Sequence, residues 1–338
     1  MSGIVTILTA VVAFSVSAAT GLWLIPLLRR VHYGQISKDI GPTWHKKKEG
    51  TPLMGGFLFI IGSLAAAVTG FCALRIVGSG GGGLYPVGSI AATRLFMGLL
   101  MSLAFGMIGF MDDYTKAVKK NSMGASERER TVMEVLVAGA YLAGMYIAGD
   151  TSTIVPVPFI GQVDMGLFYY PFAILVIYGA VNAVNITDGI DGLCGSITFV
   201  AAIGFMLSAA LLAAPEMELL ATALAGACLG FLVWNFHPAK IFMGDTGSLF
   251  LGGMLVAVAF GLSQPFLLLF MGIVYVLETL SDILQIGSYK LTHKRIFKMA
   301  PIHHHFEMCG WSEMKIVLVF SAVAVAGSAI GVLSVMNQ

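Results

Sequence analysis

The chain has 338 residues, of which 57% are hydrophobic and 11% are charged, and its formal net charge is +1. Soluble domains carry about 25% charged residues, so this composition excludes an ordinary soluble fold and indicates a protein whose solvent is the bilayer. The small net charge gives no support for a nucleic-acid partner, because the Lys and Arg residues are used for membrane topology.

Apolar runs follow one another along the whole chain. A transmembrane helix needs about 20 mostly apolar residues. Ten such runs occupy residues 4–28, 52–74, 95–111, 132–149, 167–187, 193–214, 219–236, 247–263, 266–288 and 314–336. Only Ser263, Gln264 and Pro265 separate the eighth run from the ninth; one long helix is the alternative, but the proline favours a turn. The sequence therefore predicts an all-α polytopic membrane protein of about ten transmembrane helices, forming a single integral membrane domain over residues 1–338.

The distribution of Lys and Arg predicts the orientation, since cytoplasmic loops carry the excess of positive charge. With ten spans, all but two of the 19 Lys and Arg residues fall on one face, the exceptions being Arg75 and Arg94. Both termini are therefore predicted to be periplasmic, with the first run a retained helix. All seven histidines also fall on the inner face, whereas the Gly-rich and Pro-rich outer loops are predicted to be connectors. The four cysteines show no ligand spacing, which argues against a disulfide framework or a zinc site.

Five polar segments open on the inner face, and the first is the basic loop Trp44–Gly56. Lys46 and Thr51 are candidates for binding phosphate or sugar oxygens, because the free amides of a nearby helix N-terminus favour anions. A charge cluster that serves only topology is the alternative.

The second segment is Asp112-Asp113, directly after the third apolar run. Adjacent carboxylates at a membrane boundary repel each other, and a shared proton or a bound cation would relieve this repulsion. Lys116 would lie on the same face if the helix continues, and it could neutralise part of the charge. A solvated helix end is the alternative.

The third and fourth segments, Asn182–Gly192 and Trp234–Ser248, connect apolar helices. Two asparagines and two aspartates in the third exceed what a helical hairpin needs, and they indicate donors and acceptors for a polar ligand. In the fourth, Asp245 precedes a threonine and a glycine at the predicted start of the eighth helix. It suits a helix cap and a Mg²⁺ ligand equally well.

The fifth segment, Pro301–Glu307, contains three consecutive histidines. Adjacent residues project apart and no spaced ligand completes a tetrahedral set, so hydrogen bonding to phosphate is favoured over zinc. A compact bundle would bring the five segments together around one cleft. Carboxylates, Mg²⁺, lysines and histidines are the groups that phosphoryl transfer needs, and the sequence has no Walker-type glycine loop.

These residues resemble the phospho-N-acetylmuramoyl-pentapeptide transferases of bacterial cell-wall synthesis over nearly the whole chain. The resemblance is carried by five strings in the family's order and spacing, namely 51–56 (TPLMGG), 112–113, 182–192, 235–248 and 301–307. The histidine triplet and the TPLMGG string are the most specific, because related hexosamine-phosphate transferases differ at both.

The resemblance implies transfer of phospho-MurNAc-pentapeptide from UDP-MurNAc-pentapeptide to undecaprenyl phosphate, giving lipid I and UMP. It also implies a Mg²⁺ cofactor, a bacterial inner-membrane location with the active site at the cytoplasmic face, and a homodimer. The soluble sugar nucleotide would arrive from the cytosol while the lipid phosphate approaches along the helices.

The resemblance further assigns roles by position. Asp245 is implied to be the principal Mg²⁺ ligand, with Asn185 as a second, and Asp112 and Asp113 are implied to handle the lipid phosphate. His303 is implied to lie closest to catalysis, with His304 and His305 binding phosphate or sugar oxygens. The remaining nucleoside and sugar-phosphate pocket is implied to comprise Lys46, Thr51, Lys116, Asp188, Gly189, Ile190, Asp191, Asn235, Phe242 and Gln285, with Phe242 stacking on uracil.

Two other functions fit parts of the sequence. A transferase of GlcNAc-1-phosphate would share the aspartates but differ at the histidine triplet. A transporter would need paired charges or broken-helix repeats within the membrane, which the sequence lacks. Glu278 and Asp282, four residues apart, are expected to face water or the cleft, because lipid-facing carboxylates are costly. A single displacement is favoured over a covalent intermediate, since a phosphate is already a competent nucleophile.

Overall fold

The computed structural model describes residues 1, 3–30, 50–79, 89–118 and 126–338. These ranges contain twelve α-helices and one antiparallel hairpin of two strands, β1 (Ile154–Val157) and β2 (Gly161–Asp164), between α4 and α5. The helices are α1 (Gly3–Arg30), α2 (Gly56–Ser79), α3 (Ile90–Val118), α4 (Glu127–Ile147), α5 (Tyr169–Thr187), α6 (Leu193–Leu211), α7 (Pro215–Asn235), α8 (Gly244–Gly261), α9 (Leu267–Met271), α10 (Ile273–Thr292), α11 (Ile302–Met308) and α12 (Glu313–Met336). The hairpin lies where the sequence predicts only a connector.

Membrane-spanning helices dominate the molecule. In the ranges that the structure describes, nine helices are long and apolar enough to cross a bilayer, namely α1 to α8 and α12. This confirms the prediction of an all-α polytopic membrane protein, and the predicted turn before Pro265 separates α8 from α9. The ninth predicted span differs, because it is divided into α9 and α10 at Gly272. The side of the membrane on which the termini lie stays a prediction.

Short polar signals define where several helices begin. Ser126 accepts a hydrogen bond from the backbone N–H of Glu129, and the Glu129 carboxylate accepts one from the N–H of Ser126. Ser312 caps α12 in the same way by accepting from the N–H of Lys315. These caps satisfy backbone donors that have no partner inside the helix, so the sequence sets the position at which α4 and α12 start.

The central helix of the bundle is α8, in which every residue from Thr246 to Gly261 is buried. It packs most extensively against α3, and small residues let the two backbones approach closely. A side chain at Gly109 would overlap the backbone carbonyl of Asp245, and a Cβ on Gly98 would lie 2.8 Å from the Cβ of Ala257. Glycines of α3 therefore set how closely α8 can approach α3.

Arg94, one of the two basic residues predicted on the outer face, holds the C-terminal end of α8. Its Nη1 donates to the carbonyl of Gly261 at 2.9 Å, and its Nε donates to Asp150 at 2.6 Å. A positive charge near a helix C-terminus is favourable, because the last carbonyls lack partners within the helix. This contact explains why Arg94 lies apart from the basic residues that are predicted on the inner face.

The close packing at Gly109 predicts a selective effect of one methyl group. Gly109→Ala should push α3 away from Asp245 and destabilise the protein by about 1–3 kcal/mol, the usual cost of overpacking. The measurement is the melting temperature of purified protein in detergent. Gly139→Ala in α4 is the matched control, because nothing lies within 4 Å of its added Cβ. Equal melting temperatures for the two variants would contradict this account of the α3–α8 contact.

Candidate active site

Asp112 and Asp113 lie inside α3, because the helix continues to Val118. Lys116 consequently pairs with Asp112, one turn earlier, at 2.5 Å rather than with Asp113. The same ammonium nitrogen lies 2.6 Å from Oδ2 of Asp245 in the first turn of α8. Carboxylates of two helices that are distant in sequence therefore converge on one cationic atom.

Asp113 caps the N-terminus of α8 from the neighbouring helix. Its Oδ1 accepts from the N–H of Asp245 at 3.1 Å, and its Oδ2 accepts from the N–H of Thr246 at 2.9 Å and from the Thr246 hydroxyl at 2.6 Å. A side chain at Gly244 would crowd the Asp113 carboxylate. Since a carboxylate at this end also complements the helix dipole, Asp113 fixes the position of Asp245.

A network from α4 and α5 reaches Asp245 from the other side. The Arg130 guanidinium donates to Oδ1 of Asn185 at 3.0 Å, to Oδ1 of Asn182 at 3.3 Å and to Glu134 at 2.9 Å. Asn185 in turn donates through Nδ2 to Oδ1 of Asp245 at 2.8 Å. The amide oxygen of Asn185 is thus turned to Arg130, and its amide nitrogen faces Asp245.

The loop after α5 brings a further carboxylate close to these groups. Burial, together with the charges of Asp245, Asp113 and Asp191, raises the pKa of Asp188 to about 8. At neutral pH the Asp188 side chain therefore tends to keep its proton, which limits the repulsion among the four acidic residues.

Asp191, His237 and Glu313 form a second group of ligand-type side chains, with candidate ligand atoms within 4.8 Å of one another. Oδ2 of Asp191 lies 3.1 Å from Nδ1 of His237 and accepts from the N–H of Ala239 at 3.0 Å. Glu313 accepts from the N–H of Asp191 at 3.0 Å. These bonds tie the loop after α5 to the loop after α7 and to the start of α12.

Several predicted pocket residues hold loops in place. Asn235 is buried, accepts from the N–H of Gly192 at 3.1 Å and donates to the carbonyl of Ile241 at 2.9 Å. Gln285 bonds three times to the backbone of residues 296 and 297 after α10. Phe242 pairs through its backbone with Pro52 and Gly55. The half-buried Thr51 therefore lies next to the segment that carries Phe242.

The three histidines at the start of α11 take three different partners. His303 is buried, and its Nδ1 lies 3.0 Å from Oε2 of Glu278. Nδ1 of His304 lies 2.6 Å from Oε2 of Glu307, and Nδ1 of His305 accepts from the N–H of Lys298 at 3.1 Å. Of the three, His303 packs directly against the loop after α5, because a side chain at Gly189 would overlap its ring.

The structure thus brings most of the predicted site residues to one end of the bundle. Asp112, Asp113, Lys116, Asn185 and Asp245 form one connected cluster. Gly189, Ile190, Asp191, Asn235 and His303 lie in the adjoining loops, and Gln285, His304 and His305 lie around the α10–α11 connection. Lys46 lies outside the described residues, as does most of the basic loop that contains it.

Sequence reasoning missed the residues that connect this cluster. Arg130 and Glu134 are four apart and form an ion pair along α4, a spacing that the sequence displays. Their bonds to Asn182 and Asn185 join α4 to α5, which no local pattern shows. Glu278 was expected to face water or the cleft, but it is wholly buried against His303.

The chain is similar in sequence to a known protein family and to named proteins over most of its length. Residues 95–263 match the glycosyl transferase family 4. A phospho-N-acetylmuramoyl-pentapeptide-transferase of Heliobacterium modesticaldum is 42% identical over 330 residues, which cover 96% of this chain and 97% of that protein. Proteins with the same name from Clostridium perfringens and Acetivibrio thermocellus are 42% and 40% identical, and they cover 94% and 93% of this chain and 95% and 91% of their own lengths.

The pKa of Asp188 predicts a pH-dependent effect on stability. Between the ordinary carboxyl pKa of 3.8 and about 8, native Asp188 holds a proton that the unfolded chain releases. The free energy of unfolding therefore falls as the pH rises through this window. Asp188→Asn lacks this contribution. In EDTA, the melting temperature of Asp188→Asn minus that of the unsubstituted protein should therefore increase from pH 5 to pH 8. A difference that stays constant with pH would contradict the assignment.

The cap on α8 predicts that the two adjacent aspartates differ in structural importance. Asp113→Ala leaves backbone donors of α8 without a partner and should destabilise the protein by about 1 kcal/mol, in the usual range for a lost cap. Asp112→Ala is the matched variant, because it leaves that cap intact. The melting temperature of Asp113→Ala is expected to be the lower of the two, and the reverse order would refute the capping role.

Proposed function

Because the chain belongs to the phospho-N-acetylmuramoyl-pentapeptide transferase family, we propose that its acidic cluster carries that family's reaction. The enzyme transfers phospho-MurNAc-pentapeptide from UDP-MurNAc-pentapeptide to undecaprenyl phosphate, which forms lipid I and UMP in the bacterial inner membrane. The observation that carries the assignment of the site is the convergence of Asp112 and Asp245 on Lys116 at the end of α8. A single membrane domain that assembles as a homodimer is part of the proposal.

The donor set at this cluster fits Mg²⁺. Carboxylate oxygens of Asp112 and Asp245 lie close enough to share one cationic atom, and Mg²⁺ is held in proteins by one or two carboxylates together with substrate phosphates. Asp245 and Asp112 would hold the ion, which would neutralise charge on the diphosphate. Asn185 would need to turn its amide oxygen away from Arg130 to become a ligand. In its present orientation it positions Asp245 instead.

The transfer is a single displacement. An oxygen of the lipid phosphate forms a bond to the phosphorus attached to MurNAc, and the bond from that phosphorus to the bridging oxygen of UMP breaks. The lipid phosphate attacks as its dianion, so no proton has to be removed from it. Asp113 is engaged at the α8 N-terminus, so Asp112 is the member of this pair that faces the lipid phosphate. Lys116 and Arg130 offset the negative charge that spreads over the transferred group.

Loops around the cluster bind the sugar nucleotide. Phe242 stacks on uracil, and Asp188, Gly189, Ile190, Asp191, Lys46, Thr51, His304 and His305 contact the nucleoside, sugar or phosphates. Asn235 and Gln285 contribute by shaping the loops to which they are bonded. His303 is the histidine closest to the reacting groups.

An apolar groove supports the assignment of a lipid acceptor. It has a volume of about 330 Å³ and lies between α5, α6, α8, α9 and α10. Its lining is almost entirely apolar and includes Ala183, Val184, Tyr275 and Leu280. Val184 directly precedes Asn185 of the acidic cluster. An isoprenoid chain in this groove would therefore carry its phosphate towards Asp112 and Asp245.

Release of UMP tests the proposal. Detergent-purified protein incubated with UDP-MurNAc-pentapeptide, undecaprenyl phosphate and Mg²⁺ should release UMP, and EDTA should stop the reaction. Asp245→Asn should lower the rate by about 100-fold or more, because it weakens the hold on the ion that would stabilise transition-state charge. Asp164→Asn in the exposed β2 strand is the matched control and should retain full activity.

Two outcomes would overturn the assignment. UMP release from UDP-GlcNAc alone would indicate a GlcNAc-1-phosphate transferase. Failure of folded protein to turn over either sugar nucleotide, with lipid and Mg²⁺ present, would exclude both transferases.

A further inference from the structure

Glu278 in α10 and His303 in α11 form a fully buried pair, each with 0% of its surface exposed. Oε2 of Glu278 lies 3.0 Å from Nδ1 of His303 and accepts a longer bond of 3.4 Å from the backbone N–H of the same residue. A buried carboxylate is strongly destabilising unless it is paired and hydrogen-bonded. In the described part of the chain, Oε2 of Glu278 is hydrogen-bonded only to His303, and Oε1 has no hydrogen-bond partner.

This contact fixes the state of the imidazole. A carboxylate oxygen can only accept, so Nδ1 of His303 carries the proton. In the neutral ring Nε2 then has a lone pair, so a bond from Nε2 to a phosphate oxygen requires the imidazolium form, in which both nitrogens donate and the Glu278 carboxylate balances the charge. The hydrogen bond made by one ring nitrogen thus sets the role of the other, as is general for functional histidines.

Nε2 of His303 is directed at the loop of the proposed site. It is buried and has no hydrogen-bond partner among the described residues. The ring lies against Gly189, where any side chain would overlap it, and Asp188 precedes that glycine. Buried polar atoms are rarely left unpaired. A phosphate oxygen bound at this loop would supply the missing partner.

We propose that Glu278 is a positioning residue that acts through His303 by holding the protonated Nδ1 and presenting Nε2 to a phosphate oxygen of the sugar nucleotide. The inference rests on the proposed function and deepens it. Glu278 does not touch substrate. Glu278 contributes by orienting the His303 ring and by keeping the proton on Nδ1. The effect of Glu278 on the reaction therefore disappears when His303 is replaced.

A double-mutant cycle tests this dependence. Glu278→Gln, which keeps the shape but removes the charge, should lower kcat by about 100-fold, within the range for acid–base groups, and change KM for UDP-MurNAc-pentapeptide by less than about threefold. His303→Ala should lower kcat by about 1,000-fold. The double variant should match His303→Ala within about threefold, because residues that act as a unit are not additive. Asp282→Asn, one turn away on α10, is the control and should retain kcat within about threefold.

Independent losses would overturn the proposal. If the double variant falls by the product of the single effects, or if Glu278→Gln keeps its kcat, Glu278 does not act through His303. Absence of UMP release by the unsubstituted protein would instead refute the proposed function, so the two failures are distinguishable.

A spectroscopic measurement covers the case in which Glu278→Gln does not fold. The ¹⁵N chemical shifts of selectively labelled histidine in the unsubstituted protein, with the His303 signals assigned by their loss in His303→Ala, report which nitrogen is protonated. A proton on Nδ1, alone or with a second on Nε2, is expected. A neutral ring protonated only at Nε2 would contradict the role of Glu278.

Discussion

The structure depends on the antiparallel pairing of α3 with α8. Asp113 of α3 accepts from the free amides at the N-terminus of α8, and Arg94 of α3 donates to a carbonyl at its C-terminus. Each contact places a charge at the end of the helix dipole that it complements. Gly109 lets the backbones meet at the first turn of α8, and Gly98 does so towards its C-terminal end. Contacts with α3 therefore fix both the axial position of α8 and its distance from α3.

The candidate site is a consequence of that pairing. Asp245 lies in the first turn of α8, so capping by Asp113 sets its position relative to Asp112 and Lys116 on α3. Arg130 and Asn185 approach the same carboxylate from α4 and α5. Two cationic side chains thus surround a cluster of carboxylates, which is the balance of charge that binding of a metal and a diphosphate requires.

Much of this arrangement could be predicted from the sequence. Apolar runs of membrane-spanning length indicate all nine candidate spans, α1 to α8 and α12. Polar residues between the runs mark the loops that converge. Asp245 was identifiable because it is a lone carboxylate beside glycines at a helix start. The split of the ninth run at Gly272 was not, because its hydropathy alone does not distinguish one apolar helix from two.

The roles of individual residues depended on contacts that no local pattern contains. The partners of Asp113 lie more than 130 residues away, so its capping role could not be seen beside Asp112. In the sequence Arg130 is indistinguishable from the other topological charges, although it bonds to Asn185 of α5. Burial of Glu278 follows the rule that carboxylates avoid lipid, but its partner His303 is 25 residues further along the chain.

We propose that a divalent cation binds between α3 and α8. Electron paramagnetic resonance of Mn²⁺, used as a substitute for Mg²⁺, measures binding without turnover. The account predicts that Asp245→Asn and Asp112→Asn each weaken Mn²⁺ binding strongly, whereas Asp191→Asn leaves it nearly unchanged. Binding that survives in Asp245→Asn and disappears in Asp191→Asn would contradict the account and place the metal at Asp191, His237 and Glu313.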